Sequence, residues 1–346
     1  MDEQAIAKAA GEGAYVVGGA VRDELLGRPV LDLDVACANP RRAARAYGRL
    51  AGGAVFALSD RHGAWRVALP DGPTVDFTPL FDGIEADLAT RDFTVNAVAR
   101  PLGDADHVDP LGGVPDLRGR VLRVVSDAVF DDDPLRLLRA VRLEDELGFR
   151  LDARSEALLR RRAALVTFPA GERILAELVR LSPDGFRRLD ELGLLAPLGG
   201  SVKRLEGHAP AEHRGYLLVA ALGENLLRLP VSNELRRLAR AVLRARPPAD
   251  SSSREIHRFR RRTEPWALDA LAYLDRPELA EAVVRARAAE PSEPLLRGDE
   301  LGVAPGPEVG RLLELVAEER AAGTIATQQE ALELVRREAQ AATRPT

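Results

Sequence analysis

Residues 16–36 read VVGGAVRDELLGRPVLDLDVA. The apolar pair Val16-Val17 runs into Gly18-Gly19, a tight turn ending a strand, and Arg22 follows at the start of a helix. The next run, Leu31-Asp32-Leu33-Asp34-Val35, has period two, so both carboxylates project from one face of a second strand. Neighbouring carboxylates repel each other, and folding alone does not call for the pair; a cation between them does. Mg²⁺ suits such a pair, because it takes few carboxylates, several waters and substrate phosphates. Two such metals can activate an attacking hydroxyl and steady a leaving oxygen. Gly18 and Gly19 let backbone N–H groups come close to an anion. The bland alternative is a plain turn with an Arg22–Asp23 surface pair. The carboxylates downstream favour a triphosphate–metal site instead.

Outward from this stretch, the first 130 residues alternate short strands and helices. The strands are AYVVG, VLDLDVAC, AVFALSD, AWRVALP and TVDFTPL, and the helices PRRAARAYGRLAG and GIEADLATRD. Hairpin-like spacing of the third to fifth strands predicts a mixed or antiparallel sheet. From DDPLRLLRAVRLEDELGF onward, Leu, Ala and Arg recur at helical spacing, punctuated by SPDG, RPPADSSS and GVAPGPEVG. The fold class is therefore α+β: a head with a sheet, followed by an all-helical body. RPPADSSSREIHRFRRR reads as a linker or exposed turn with a solvated basic run.

With 346 residues, the chain is long enough for two to four domains. A hydrophobic content of 46% with 30% charged residues describes a soluble globular protein, and no run has the order of a signal peptide or membrane-spanning length. The lone Cys37 excludes intrachain disulfides and thiolate-rich zinc sites, so the expected compartment is the cytoplasm. A net charge of -5 does not advertise nucleic-acid binding. Lys8 and Lys203 are the only lysines, so the positive charge is nearly all arginine, whose forked donors match phosphates and base edges.

Further stretches carry candidate chemistry. Asp76, in TVDFTPL, could add a third catalytic carboxylate or face solvent. In DLATRDFTVNAVA, Arg91, Asp92 and Asn96 are candidates for nucleotide binding, with Phe93, Val95 and Val98 left for the core. An isolated surface ion pair there would be worth little. In DDPLRLLRAVR, Asp133 before Pro134 predicts a helix N-cap. Arg136, Arg139 and Arg142 then step by three along one side of the helix. The alternative is a salt-bridged exposed face with Glu144, Asp145 and Glu146 as partners; capping alone would explain Asp133 and Pro134 but does not call for three evenly stepped arginines. Cytosine and adenine present an amine beside a ring-nitrogen acceptor, whereas uracil and guanine present a carbonyl and an N–H. An Asp only accepts and an Arg only donates, so Asp133 with Arg136 would match C or A. Mismatched hydrogen bonds of this kind discriminate by roughly 10⁴ or more.

Together these motifs resemble the tRNA nucleotidyltransferase and bacterial poly(A) polymerase family, which includes the CCA-adding enzymes. The resemblance rests on VGGAVRDELLGRPVLDLDV, IEADLATRDFTVNAVA, VDPLGGVPDLRGRVLRVV, DDPLRLLRAVRLEDELGF and GERILAELVRL, in the family's order, and on a family-like tail from LLRGDELGVAPG onward. It implies a palm-type nucleotidyltransferase head (residues 1–130), a helical neck with the base-reading motif (131–190), a helical body (191–250) and an RNA-binding tail (251–346). Gly19 and Arg22 then match triphosphate contacts, with Gly18 beside them, and Asp32 and Asp34 match Mg²⁺ ligands. Arg91, Asp133, Arg136, Arg139 and Arg142 match nucleotide-binding positions. The implied reaction is attack of a tRNA 3′-hydroxyl on the α-phosphate of CTP or ATP, releasing pyrophosphate.

The sequence departs from the family in three places. Thr90 stands where a second arginine is usual. Only Phe81, Asp82 and Gly83 separate the fifth strand from the next helix, where many full CCA-adding relatives have a longer loop linked to the switch from C to A. None of His62, His107, His208, His213 and His257 precedes an aspartate, so no His-Asp phosphohydrolase activity is expected. Full CCA, CC-only, A-only and poly(A) addition share every motif quoted. A noncatalytic RNA-binding protein of the same fold is the alternative of another class, and the intact Asp32/Asp34 pair argues against it. A small-molecule or protein acceptor fits the long helical half poorly. Oligomeric state is not legible.

Overall fold

The computed structural model describes residues 1–59, 63–70, 72–205 and 211–342; His62 and His208 lie outside these residues. The chain forms two compact units, Met1–Leu198 and Gly199–Thr346.

In the first unit six strands form one mixed sheet: β1 (Tyr15–Val17), β2 (Asp32–Cys37), β3 (Ala54–Ser59), β4 (Ala64–Ala68), β5 (Thr74–Pro79) and β6 (Ala99–Pro101), in the order β3-β4-β5-β2-β1-β6. β2 and β5 run parallel, and the other neighbours pair antiparallel. The three-residue β6 has no strand counterpart in the sequence reading, because so short a run shows no alternation.

Alternation along β2 assigns the faces. Leu33, Val35 and Cys37 join Val67, Val75 and Phe77 in a core that the helices Glu3–Ala10 and Pro40–Ala51 cover. The second helix starts where Asn39 accepts from the Arg42 N–H with Pro40 in the first turn, and it buries Ala43, Ala44 and Tyr47. Burying Tyr47 and Phe77 fully stabilises by about 2–3 kcal/mol each. Gly48 sets the helix–sheet distance: a Cβ there would lie 2.2 Å from Val55 Cγ2. The opposite face keeps Asp34 and Asp76, with Ala36 in a smaller apolar cluster beside Ile84 and Leu88.

The rest of this unit is mainly helical, including Arg136–Leu147, Ala153–Arg162, Gly171–Leu178 and Pro183–Glu191. Asp133 is not the N-cap of the Arg136–Leu147 helix. It ends the short helix Val129–Asp132, and Pro134-Leu135 form a turn in which its carboxylate accepts from the Leu135 N–H at 3.2 Å. An Asp next to a Pro serves a local turn as readily as a helix start.

The elements described in the second unit are all helices, and its C-terminal helices Pro307–Ala321 and Gln328–Ala342 share a core built on Leu312, Val316 and Val335. The expected linker is only partly one. From Ser253 to Thr263 the basic run is a helix; the Ser252 side chain accepts from the Glu255 N–H, and Ile256 and Phe259 are buried. Two apolar residues three apart suffice to dock a helix whose other positions are charged.

Candidate active site

The parallel pairing of β2 and β5 sets Asp34 directly opposite Asp76, so Asp32, Asp34 and Asp76 share one face. Their environments differ. Asp32 is exposed and accepts from Thr74 Oγ1 at 2.7 Å and the Thr74 N–H at 3.2 Å. Asp76 receives both arms of Arg66, Nε and Nη2, at 2.7 Å each. Asp34 is half-buried. Burial pushes its carboxyl above the ordinary value; Asp76 and Asp32 push the same way, while Arg91 and Arg139 oppose them.

The glycine turn closes over this carboxylate. Gly18 has φ 72 and ψ -135, and a Cβ there would lie 3.1 Å from Arg91 Nη1 and 3.5 Å from Asp34 Oδ2. Only glycine adopts that conformation readily and leaves room for both groups. Arg91 is aimed by Asp87, one turn earlier, whose Oδ2 accepts from Nη2 at 2.7 Å. The Arg22–Asp23 pair exists, but it is not the whole of Arg22's role. Its Nη1 donates to Asn96 Oδ1 at 2.7 Å, Asn96 Nδ2 donates to Asp92 Oδ1 at 2.9 Å, and Asp92 Oδ2 lies 2.5 Å from Arg139 Nε. This chain ties three separate stretches of sequence together. Burial works against the Asp92 charge, yet Arg139, the Asn96 amide and the Phe93 N–H outweigh it and hold the carboxyl below its ordinary value.

Asp133 is held by Arg173, through Nη2 at 2.7 Å and Nη1 at 3.2 Å. Arg136 donates from Nη2 to the Thr90 carbonyl at 2.8 Å, so position 90 contributes through its backbone, while the Thr90 hydroxyl turns back to the Asp87 carbonyl. Arg142 stands apart. It is buried, with Nε 2.7 Å from Glu177 Oε2 and Nη1 3.8 Å from Glu146. Glu144 and Asp145 instead hold Arg188 and Ser182, so the exposed salt-bridged face is not formed.

Arg66, Arg173, Asp87 and Glu177 escaped the sequence reading. Of these, Arg66 was accessible, since a hairpin joining β4 to β5 sets it opposite Asp76. Among the described residues one acid–histidine cluster also gathers, Glu212, His213 and Asp269. Asp269 is buried there accepting the Glu212 and His213 N–H groups, and Glu212 is taken by Arg287. Hydrogen bonding of the local backbone accounts for it.

A sheet carrying an acidic face, a glycine turn beside it and a helical remainder define a nucleotidyltransferase of the palm type. The Poly A polymerase head domain matches residues 14–79 and 70–123. The A-adding tRNA nucleotidyltransferase of Deinococcus radiodurans is 33% identical over 94% of this chain and 95% of its own. The CC-adding tRNA nucleotidyltransferase of Thermus thermophilus is 32% identical over 92% of each. The solved Thermotoga maritima CCA-adding enzyme complexed with tRNA shares the fold, with a TM-score of 0.75 at 23% identity over 97% of this chain and 93% of that one. The chain belongs to the tRNA nucleotidyltransferase and poly(A) polymerase family, and it is an enzyme.

Proposed function

We propose that this enzyme adds C residues to the 3′ end of tRNA, taking CTP and releasing pyrophosphate, and that it stops before the terminal A. The observation that carries the choice is the connection between β5 and the helix Ile84–Ala89. It comprises only residues 80–83, with Phe81 85% exposed. The resemblance ties a longer loop here to the switch from C to A.

Asp32 and Asp34 are the residues that would hold Mg²⁺. Their hard oxygens, set on one strand face with Asp76 directly opposite Asp34, fit that ion. When bound, Mg²⁺ would lower the pKa of the attacking hydroxyl and offset phosphate charge. Gly18, Gly19, Arg22 and Arg91 would receive the triphosphate, with Asp92, Asn96 and Arg139 orienting the cations around it. Asp76, locked to Arg66, would act as a third carboxylate only after exchanging that partner. Asp133 would read the base amine with Arg136 beside it. A carboxylate has about four acceptor sites; Arg173 and the Leu135 N–H take three, which leaves one for a single amine. Arg136 keeps donors beyond those given to Thr90 and Val129 for the ring nitrogen and carbonyl of cytosine. The neck, body and tail at 131–190, 191–250 and 251–346 would hold the tRNA. Among the described residues no helix is long and apolar enough to cross a membrane.

The greater coverage of the A-adding relative favours a second reading, addition of the terminal A alone. Labelled CTP and ATP, supplied separately with Mg²⁺ to tRNAs ending before CCA, after C and after CC, separate the two. CTP use on the first two acceptors, with no ATP use on the third, is the expected result. ATP transfer to the third alone would establish the A-adding reading.

A further inference from the structure

In the second unit, the end of the helix Asn233–Arg244 and the end of the helix Ser253–Thr263 enclose a cavity of about 440 Å³. Its walls include Arg240, Arg244, Arg246 and Arg262, and among the described residues no carboxylate lines it. The pairing of the neighbouring arginines makes this group stand out. On the Ser253–Thr263 helix, Arg254, Arg258, Arg260 and Arg261 are each held by glutamates. Arg262 is the remaining arginine on that helix, and it meets the cavity. Neither it nor Arg240, Arg244 or Arg246 makes an ion pair or side-chain hydrogen bond with the described residues. Arg240 and Arg244 are also one turn apart on one helix face, an arrangement that is mildly destabilising for like charges. Each helix end offers partial negative charge to a basic last turn, but that does not explain four cations converging on one concave surface.

The floor indicates the kind of anion. Ala241 and Ala245 are small enough to let a ligand settle between the guanidinium groups. Phe259 is buried, and the Thr263 hydroxyl donates to the Phe259 carbonyl at 2.7 Å. Among the described lining residues no aromatic face is open for stacking a base, and the one hydroxyl is committed. The surface can therefore fork onto phosphate oxygens without reading sequence. We infer that this cavity is a backbone-phosphate site for the RNA substrate, gripping successive phosphodiesters at a distance in sequence from the acidic face. The inference rests on the reading that the enzyme extends tRNA.

The test is binding of tRNA lacking its CCA end by the full chain and by R240E/R244E, measured by fluorescence anisotropy across a salt series, with CTP incorporation in parallel. Each lost phosphate contact removes about 0.9 from the slope of log affinity against log salt. The double variant should therefore lose about 1.8 in slope and bind about tenfold or more weakly at low salt. Its KM for tRNA should rise while kcat at saturating tRNA stays near the wild-type value. R240Q/R244Q, with unchanged circular dichroism, should show the same sign at smaller size and guards against a folding defect. Unchanged affinity and slope in both variants would overturn the site. If the wild type binds tRNA and transfers no nucleotide, the proposed function fails while this site still stands or falls on the binding data.

Discussion

Arg142 and Glu177 make the sharpest test of how the helix Arg136–Leu147 is held in place. Both side chains are nearly dry, at 7% and 10% exposure, and their atoms meet at 2.7 Å. Burial pulls the Arg142 pKa down and pushes the Glu177 carboxyl up, and each charge opposes that effect on the other, so each persists because of its partner. Glu177→Gln would leave the guanidinium with Glu146 at 3.8 Å as its remaining partner. Breaking a buried pair costs about 3–5 kcal/mol, and Glu146 should hold the loss near the lower figure. The double replacement R142M/E177L removes both charges and should return to within about 1 kcal/mol of the wild type. Urea unfolding followed by far-UV circular dichroism measures all three proteins. A cost below about 1 kcal/mol for Glu177→Gln would refute the claim that this pair is held by burial. The double variant also separates two roles for Arg142. A KM for CTP raised severalfold in a stable protein would show that the residue serves the nucleotide, as the resemblance implies. An unchanged KM would show that it only fixes the helix carrying Arg139 and Arg136.

Other outcomes follow from the same geometry. Gly18→Ala should cost about 1–3 kcal/mol of backbone strain and lower incorporation further by displacing Arg91; stability and kcat/KM measured together check it. Because burial raises the Asp34 carboxyl, its titration followed by NMR without Mg²⁺ should lie above the ordinary aspartate range. Asp76→Asn, which removes a neighbouring negative charge, should shift that titration to lower pH, and an upward shift would refute the assignment. Asp92, held low, contributes stability that is full above the unfolded carboxylate value and is lost as pH falls through the folded one. Melting temperatures from neutral pH down into acid should therefore fall less in Asp92→Asn than in the wild type. Tyr216 is buried, and burial together with Asp269 pushes its hydroxyl up to about 12. The stability it contributes is full below the ordinary tyrosine value of about 10 and is lost as pH rises through 12, so Tyr216→Phe should flatten that alkaline loss in urea titrations.

Much of the site was legible because it depends on local periodicity. Asp32 and Asp34 share a face through the two-residue repeat of a strand, and Gly18 breaks β1 where the turn needs positive φ. The partners were not legible, because they depend on register and on packing between distant segments. Asp76 could not be placed from TVDFTPL alone; its face follows from parallel pairing with β2, which the chain reaches only after two intervening strands and a helix. The ending of the Ser252-x-x-Glu255 run in a helix, by contrast, was in view, since serine followed three residues later by glutamate is a start signal. Composition masked it there, because five arginines in eleven residues look like solvated chain.

The arginines show why spacing and role come apart. Arg136, Arg139 and Arg142 differ by equal steps in sequence, and equal steps of three turn a helix through about 300° each. Successive members therefore drift by about 60° around the axis. That drift is small enough to suggest one stripe and large enough to present each residue to a different neighbour. Arg136 meets the Thr90 carbonyl, Arg139 meets Asp92 on the chain leading to Arg22, and Arg142 turns into the interior against Glu177. An exposed stripe would have kept all three in water, where ion pairs add little. Instead the helix spends one arginine on its own packing and directs the other two toward the residues around the acidic face. A variant that moved Arg142's charge by one position, R142L/L143R, would set a guanidinium where the fully buried Leu143 now sits. It should unfold the helical part of the first unit rather than retune the residues around the acidic face, because a buried charge without its partner costs several kcal/mol.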